Sequence, residues 1–135
     1  MDRGRVVTIF IGQLLRGEPL TVIGDGSQTR TFTYVDDAVR ATVQAGLRSE
    51  AEGQAINVGS EEEVSIRDLA SRMIRISGSS SQMLFVHQDS VYDRGYEDIP
   101  RRVPVVRRMR EVLGVRADTP LDDGLKRTIE WFKRQ

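Results

Sequence analysis

The chain has 135 residues, about one domain's worth, and its 39% hydrophobic and 30% charged residues make an ordinary globular composition. Its 20 basic residues balance 20 acidic ones, and a net charge of zero removes the strongest argument for a general nucleic-acid or membrane-surface binder. The lack of cysteine excludes disulfides, thiolate zinc sites and Cys nucleophiles, and the lone His87 excludes a multi-histidine metal site. No apolar run approaches the ~20 residues of a membrane span. The opening Met1-Asp2-Arg3-Gly4-Arg5 lacks a signal-peptide layout, so a cytoplasmic protein is expected. All the basic residues except Lys126 and Lys133 are arginine, the better fork for phosphate and carboxylate.

Arg5 to Arg16 reads as a helix with Val7, Phe10, Ile11, Leu14 and Leu15 on one face and Gly17 as its left-handed stop. Leu20-Thr21-Val22-Ile23 reads as a strand, ended by the turn cluster Gly24-Asp25-Gly26-Ser27. Thr29 to Val35 is extended. Asp36 or Asp37 then caps a helix to about Arg48, with Val39, Val43 and Leu47 on its apolar stripe. Gln54 to Val58 is a strand candidate. Ser65 caps a helix that buries Ile66, Leu69, Ala70, Met73 and Ile74 and stops near Gly78. The serine-rich run Ser77 to Ser81 reads as a loop, and Met83 to Val86 as a strand whose end carries His87, a residue with a structural or exposed role. A long polar segment, Gln88 to Arg102, precedes helical spacing at Val105, Val106, Met109, Val112 and Leu113. A last helix spans about Leu121 to Lys133, with Leu125, Ile129 and Phe132 inward. The pattern is α+β, with short strands and four or five helices. No strand-turn-helix carries Gly-x-Gly-x-x-Gly or Gly-x-x-x-x-Gly-Lys, so no dinucleotide or triphosphate site is recognisable.

Three polar features admit two readings each. Gly24 to Arg30 is either a hairpin turn with a solvated arginine or a loop that lets Arg30 reach a phosphate. Gly95-Tyr96-Glu97-Asp98-Ile99-Pro100-Arg101-Arg102 is either a solvated loop or a binding loop, where Tyr96 offers a flat face for a base and the arginines a charge for an anion. Arg94 to Arg116 is basic, but its apolar stripe favours an ordinary amphipathic helix over a nucleic-acid helix.

Taken in order, Arg5-Val6-Val7, Leu15-Arg16-Gly17-Glu18-Pro19-Leu20-Thr21-Val22, Gly24 through Arg30, Tyr34-Val35-Asp36-Asp37, Ile56-Asn57-Val58-Gly59, Ser65 through Ala70 and Leu121 through Phe132 resemble the C-terminal part of the NAD-dependent epimerase/dehydratase family. These are extended short-chain dehydrogenases acting on nucleotide-sugars. Tyr96-Glu97-Asp98 with Arg101-Arg102-Val103-Pro104 is most similar to the UDP-glucuronate decarboxylase branch, although epimerases and dehydratases carry related segments. The resemblance implies a substrate-binding domain over residues 1–135 whose Rossmann partner, with the NAD loop, the Tyr-x-x-x-Lys pair and the catalytic Ser/Thr, lies elsewhere. None of Tyr34, Tyr92 and Tyr96 is followed four residues on by lysine. It therefore implies NAD in the parent enzyme, none bound by this chain, and no activity by this chain alone.

By the same resemblance, Arg5 and Arg30 hold the nucleotide diphosphate, Thr21 and Ile23 meet the uracil through backbone groups, and Tyr96 lies beside the nucleotide. Arg102 clamps the reacting sugar or its phosphates; a pKa above about 12 makes it a poor proton donor. The parent decarboxylation implied is oxidation at the sugar C4, loss of carbon dioxide from the β-keto acid and return of the hydride. Ile9 and Val105 depart from the family's usual Asn and Asp. The alternative is a non-catalytic nucleotide-sugar or protein-binding module with no Rossmann partner. Apolar surface on the first helix, uncovered without that partner, is expected to drive self-association; no nucleic-acid or membrane partner is expected.

Overall fold

The computed structural model describes residues 5–87 and 99–135. Among them are five α-helices and five short strands: α1 (Val6–Leu15), β1 (Leu20–Ile23), β2 (Thr29–Thr31), α2 (Val35–Leu47), β3 (Glu63–Ser65), α3 (Ile66–Ser77), β4 (Met83–Val86), β5 (Arg101–Arg102), α4 (Arg107–Glu111) and α5 (Leu121–Phe132). The strands form two small sheets. β1 pairs parallel with β4, Leu20 opposite Met83; in the other, β2 lies between antiparallel β3 and parallel β5.

Two apolar clusters hold these elements. The larger joins Phe10, Ile11 and Leu14 of α1 to Leu20 and Val22 of β1, Leu69 and Met73 of α3, and Leu125 and Ile129 of α5. Each such side chain contributes roughly 1.5–3 kcal/mol on full burial. The smaller gathers Ala41, Ala51, Val106, Met109, Leu113 and Val115. The Ser65 hydroxyl accepts from the Asp68 amide at 3.0 Å, so the expected cap of α3 is present, and Gly78 ends that helix in the left-handed region.

Several expectations are corrected. Asp36 and Asp37 do not cap α2: its N-cap is Tyr34, and Asp37, 2% exposed, turns away from the helix amides to accept from the Thr119 backbone N–H at 3.1 Å and to pair with Arg40. Val39, Val43 and Leu47 lie on the outer face of α2, while Ala41 takes the inward place. Gln54 to Val58 forms no strand, since no sheet lies alongside to pair with it. Gly24 to Ser27 is a turn but not a hairpin, because β1 and β2 belong to different sheets. Val105 stays outside α4 and is 76% exposed. The strands β3 and β5 were not anticipated from the periodicity. Tyr96 lies outside the described residues, as does most of the long polar segment.

Candidate functional site

The side of α1, the free edge of β1, the face of β2 and the start of α5 enclose a cleft of about 790 Å³, within the range of small-molecule sites. Five of the six residues singled out from the sequence line it: Arg5, Thr21, Ile23, Arg30 and Arg102, from four separate elements or their ends. Its described lining carries these three arginines and no carboxylate, with hydroxyls from Thr8, Thr21, Thr31, Thr33, Thr119 and Thr128. Such a set favours an anion that also accepts hydrogen bonds.

Each arginine is placed by its backbone. Arg5 is the N-cap of α1 in extended conformation; no side chain caps this helix, and no acidic residue stands in its first turn. The uncapped amides and the positive end of the helix dipole therefore lie beside Val6, Val7 and Thr8 at the cleft wall. Arg30 sits mid-strand in β2, where Nη1 donates to the carbonyls of Thr29 and Ile99 at 2.7 Å each. Arg102 lies opposite Arg30 in the parallel β2–β5 register, so two guanidinium-bearing strands stand side by side. The neighbouring Arg101 instead points to Glu63, which it grips with Nε and Nη2. The Thr29 hydroxyl and then this contact hold the Glu63 carboxyl below the ordinary glutamate range.

Thr21 and Ile23 occupy the edge of β1 away from β4. Leu20 and Gly24 donate their amides to Gln82 and Val86, and alternation along a strand turns the Thr21 and Ile23 groups the other way. The Gln13 carboxamide takes Thr21 at its N–H and Oγ1, and Gln28 Nε2 donates to the Ile23 carbonyl at 3.3 Å. Between these two glutamines, the Thr21 carbonyl and the Ile23 N–H meet no partner among the described residues. Gln13, Gln28, Thr119, Pro120, Gly124 and Thr128 escaped the sequence reasoning. Gln13 left one signal, as the one carboxamide in a helix that is otherwise apolar apart from Thr8. Ile9 lines the cleft as well, whereas Val105 is not part of the described lining.

The NAD dependent epimerase/dehydratase family model matches residues 1–59, the segment that supplies α1, β1, β2 and two of the three cleft arginines. Similarity to its members runs over the rest. A UDP-N-acetyl-alpha-D-glucosaminuronate decarboxylase of Bacillus cytotoxicus is 42% identical over 128 residues, covering 95% of this chain and 40% of that protein. Residues 1–59 therefore carry this family's pattern. A UDP-glucuronic acid decarboxylase 1 of Danio rerio is 38% identical over all of this chain and 30% of its own length. Among solved structures, UDP-glucuronic acid 4-epimerase from Bacillus cereus, in complex with UDP-glucuronic acid and NAD, superposes with a TM-score of 0.84 at 31% identity, over 96% of this chain and 40% of that one. The chain thus spans well under half the length of these relatives.

Among the described residues no group of His, Cys, Asp or Glu is arranged to hold a metal ion, and no helix is long and apolar enough to cross a membrane.

Proposed function

We propose that residues 1–135 form the nucleotide-sugar-binding C-terminal domain of an NAD-dependent UDP-sugar enzyme whose parent reaction is decarboxylation of a UDP-glucuronate-type substrate. The observation that carries this reading is the cleft itself, in which three arginines and an uncapped helix N-terminus surround a strand edge and no acidic side chain is present among the described lining residues. In this reading Arg5, Arg30 and the first amides of α1 hold the diphosphate. The Thr21 carbonyl and Ile23 N–H receive the base, and Arg102 clamps the anionic end of the sugar. The similarity to decarboxylases at 42% and 38% identity supports that branch.

The residues present do not fit NAD. The one glycine-rich turn, Gly24 to Ser27, joins two strands and leads into no helix N-terminus that could take a pyrophosphate. The chain is accordingly inactive alone, and its role is to bind and orient the sugar for a reacting centre built elsewhere.

Calorimetry with UDP, UDP-glucuronate and NAD tests this. UDP and UDP-glucuronate bind weakly to the isolated chain and NAD does not. Arg30→Ala weakens UDP, since a charge-assisted contact is worth about 1.5–3 kcal/mol when ordered and less on an open surface. Equal UDP affinity for both proteins removes Arg30 from the site. Turnover of UDP-glucuronate by the pure chain overturns the domain assignment.

A further inference from the structure

β5 is two residues long, Arg101 and Arg102, and side chains alternate along a strand, so one of these arginines faces the cleft and the other faces away. The chain is pinned on either side of them. The Pro100 carbonyl accepts from the Thr29 N–H at 2.9 Å, and the Val105 carbonyl accepts from Asn57 Nδ2 at 3.2 Å. Neither pin distinguishes the two arginines, which are alike in length, charge and donors. A one-residue slip of so short a strand exchanges them.

The face of the sheet turned from the cleft breaks that symmetry. Thr29 stands opposite Arg101 on one side and Ser65 on the other, and Glu63, two residues from Ser65, shares their face. None of Thr29, Arg101 and Glu63 is in the described lining of the cleft. Glu63 reaches from β3 across β2 to β5. Its carboxylate accepts from Arg101 Nε at 3.0 Å and Nη2 at 2.9 Å, and from the Thr29 hydroxyl between them. Such a two-pronged grip fixes the orientation of a guanidinium as well as its position. The Arg101 side chain is 68% exposed, and so open an ion pair adds little to the stability of the fold. Its consequence lies in direction. With Arg101 held on this face, Arg102 stands beside Arg30 and lines the cleft.

We propose that Glu63 is a positioning residue for the nucleotide-sugar site: by taking Arg101 on the far face of the sheet, it selects Arg102 as the arginine presented to the ligand's anionic group. This rests on the assignment of Arg102 to the anionic end of the sugar. Glu63 touches no part of that ligand and acts through β5 alone.

Amide exchange and titration with UDP-glucuronate, both followed by NMR in the chain and its variants, test this. Glu63→Ala is expected to speed exchange of the Thr29 amide, which closes the β2–β5 seam, at least about tenfold. The Ile66 amide, which donates to the Gln28 carbonyl at 3.0 Å on the β3 side, changes less than about twofold. This reading needs no ligand. UDP-glucuronate binds about tenfold more weakly to Glu63→Ala. In an Arg102→Ala background the same change costs less than about twofold, because the residue through which Glu63 acts is gone. The exchanged pair, Glu63→Arg with Arg101→Glu, restores both the slow exchange and the affinity. Equal Thr29 exchange in Glu63→Ala and the native chain overturns the proposal. So does an equal loss of affinity with and without Arg102, the mark of general loosening. Unchanged affinity in Arg102→Ala alone removes Arg102 from the site and the proposal with it; the Thr29 amide, read without ligand, tells that failure apart from a Glu63 that does not seat β5.

Discussion

Gln13 and Thr21 are joined at two points: Gln13 Nε2 donates to Thr21 Oγ1 at 2.8 Å, and Gln13 Oε1 accepts from the Thr21 backbone N–H at 3.1 Å. One carboxamide thus ties the middle of α1 to the cleft edge of β1, and with it fixes the spacing between the helix N-terminus and the strand edge. Both partners are part-buried, so neither bond is freely replaced by water.

Gln13→Leu removes both bonds and strands the Thr21 N–H. The expected loss of stability is about 1–3 kcal/mol, the range for an unsatisfied buried donor. Thr21→Val removes only the hydroxyl bond and costs about 0.5–1.5 kcal/mol. Urea denaturation checks the order, and UDP affinity falls further in Gln13→Leu than in Thr21→Val. Identical midpoints for Gln13→Leu and the native chain would show that the clasp contributes nothing.

Asp37 is the one buried carboxylate among the described residues, and it spans from α2 to the segment before α5. Its partner Arg40 is more than half exposed and regains water when the pair is broken. The Thr119 N–H at the cleft rim does not. Asp37→Ala is therefore expected to destabilise by about 1–3 kcal/mol, less than the loss of a partner from a fully buried pair. Arg40→Ala leaves the buried carboxylate with fewer partners and is the more damaging of the two. Thermal denaturation of both variants settles the order.

What was legible in the sequence follows from how local each signal is. α3 was readable because cap, stripe and stop lie close together, from Ser65 to Gly78, and agree with its packing, and α5 was readable from its apolar stripe. The stripe of α2 was equally visible, but its direction was not: periodicity marks a face without saying whether this chain holds anything to cover it. Gln54 to Val58 misled for the same reason, since pairing depends on a neighbour. β5 escaped because two arginines have no strand pattern and are held by the β2 register. At the cleft, resemblance to relatives brought Arg5, Thr21, Ile23, Arg30 and Arg102 together on paper, and the fold places all five around one space. Gln13, Gln28 and the Thr119–Leu121 segment have no such spacing rule. They reach the site by tertiary packing alone.

Glu63 links the three-stranded sheet across both seams, accepting from Thr29 on β2 and from Arg101 on β5. The Thr29 hydroxyl and then Arg101 lower its pKa from 4.5. A carboxyl depressed in the folded state stabilises it fully above the unfolded value and loses that contribution as pH falls through the folded value. The stability difference between native chain and Glu63→Gln is therefore constant at neutral pH and shrinks below about 4.5. Denaturation at a series of pH values measures it. A difference that grows on acidification would mean that Glu63 is not held as the charged form.

Gly24 and Gly26 test how tightly the turn between β1 and β2 is built. Both have positive φ, +66° and +71°, where a Cβ is strained, but their surroundings differ. A Cβ at Gly24 meets nothing within 4 Å. At Gly26 it would stand 2.7 Å from Val22 Cγ1 and about 3 Å from the Cβ and backbone nitrogen of Arg67, at the start of α3. Val22 is fully buried, and the Arg67 amide donates to the Gly26 carbonyl at 3.0 Å, so neither neighbour can move aside cheaply. Gly24→Ala is expected to cost about 1–2 kcal/mol, the left-handed penalty alone. Gly26→Ala adds overpacking worth about 1–3 kcal/mol and shifts β1 against α3. Because Thr21 and Ile23 lie on that strand, the shift also weakens UDP binding, whereas Gly24→Ala leaves it within about twofold, as expected for a surface change that moves no packed element. Paired urea denaturation and UDP calorimetry separate the two glycines, and equal losses at both would show that Gly26 is held by its backbone conformation and not by the contact with Val22 and Arg67.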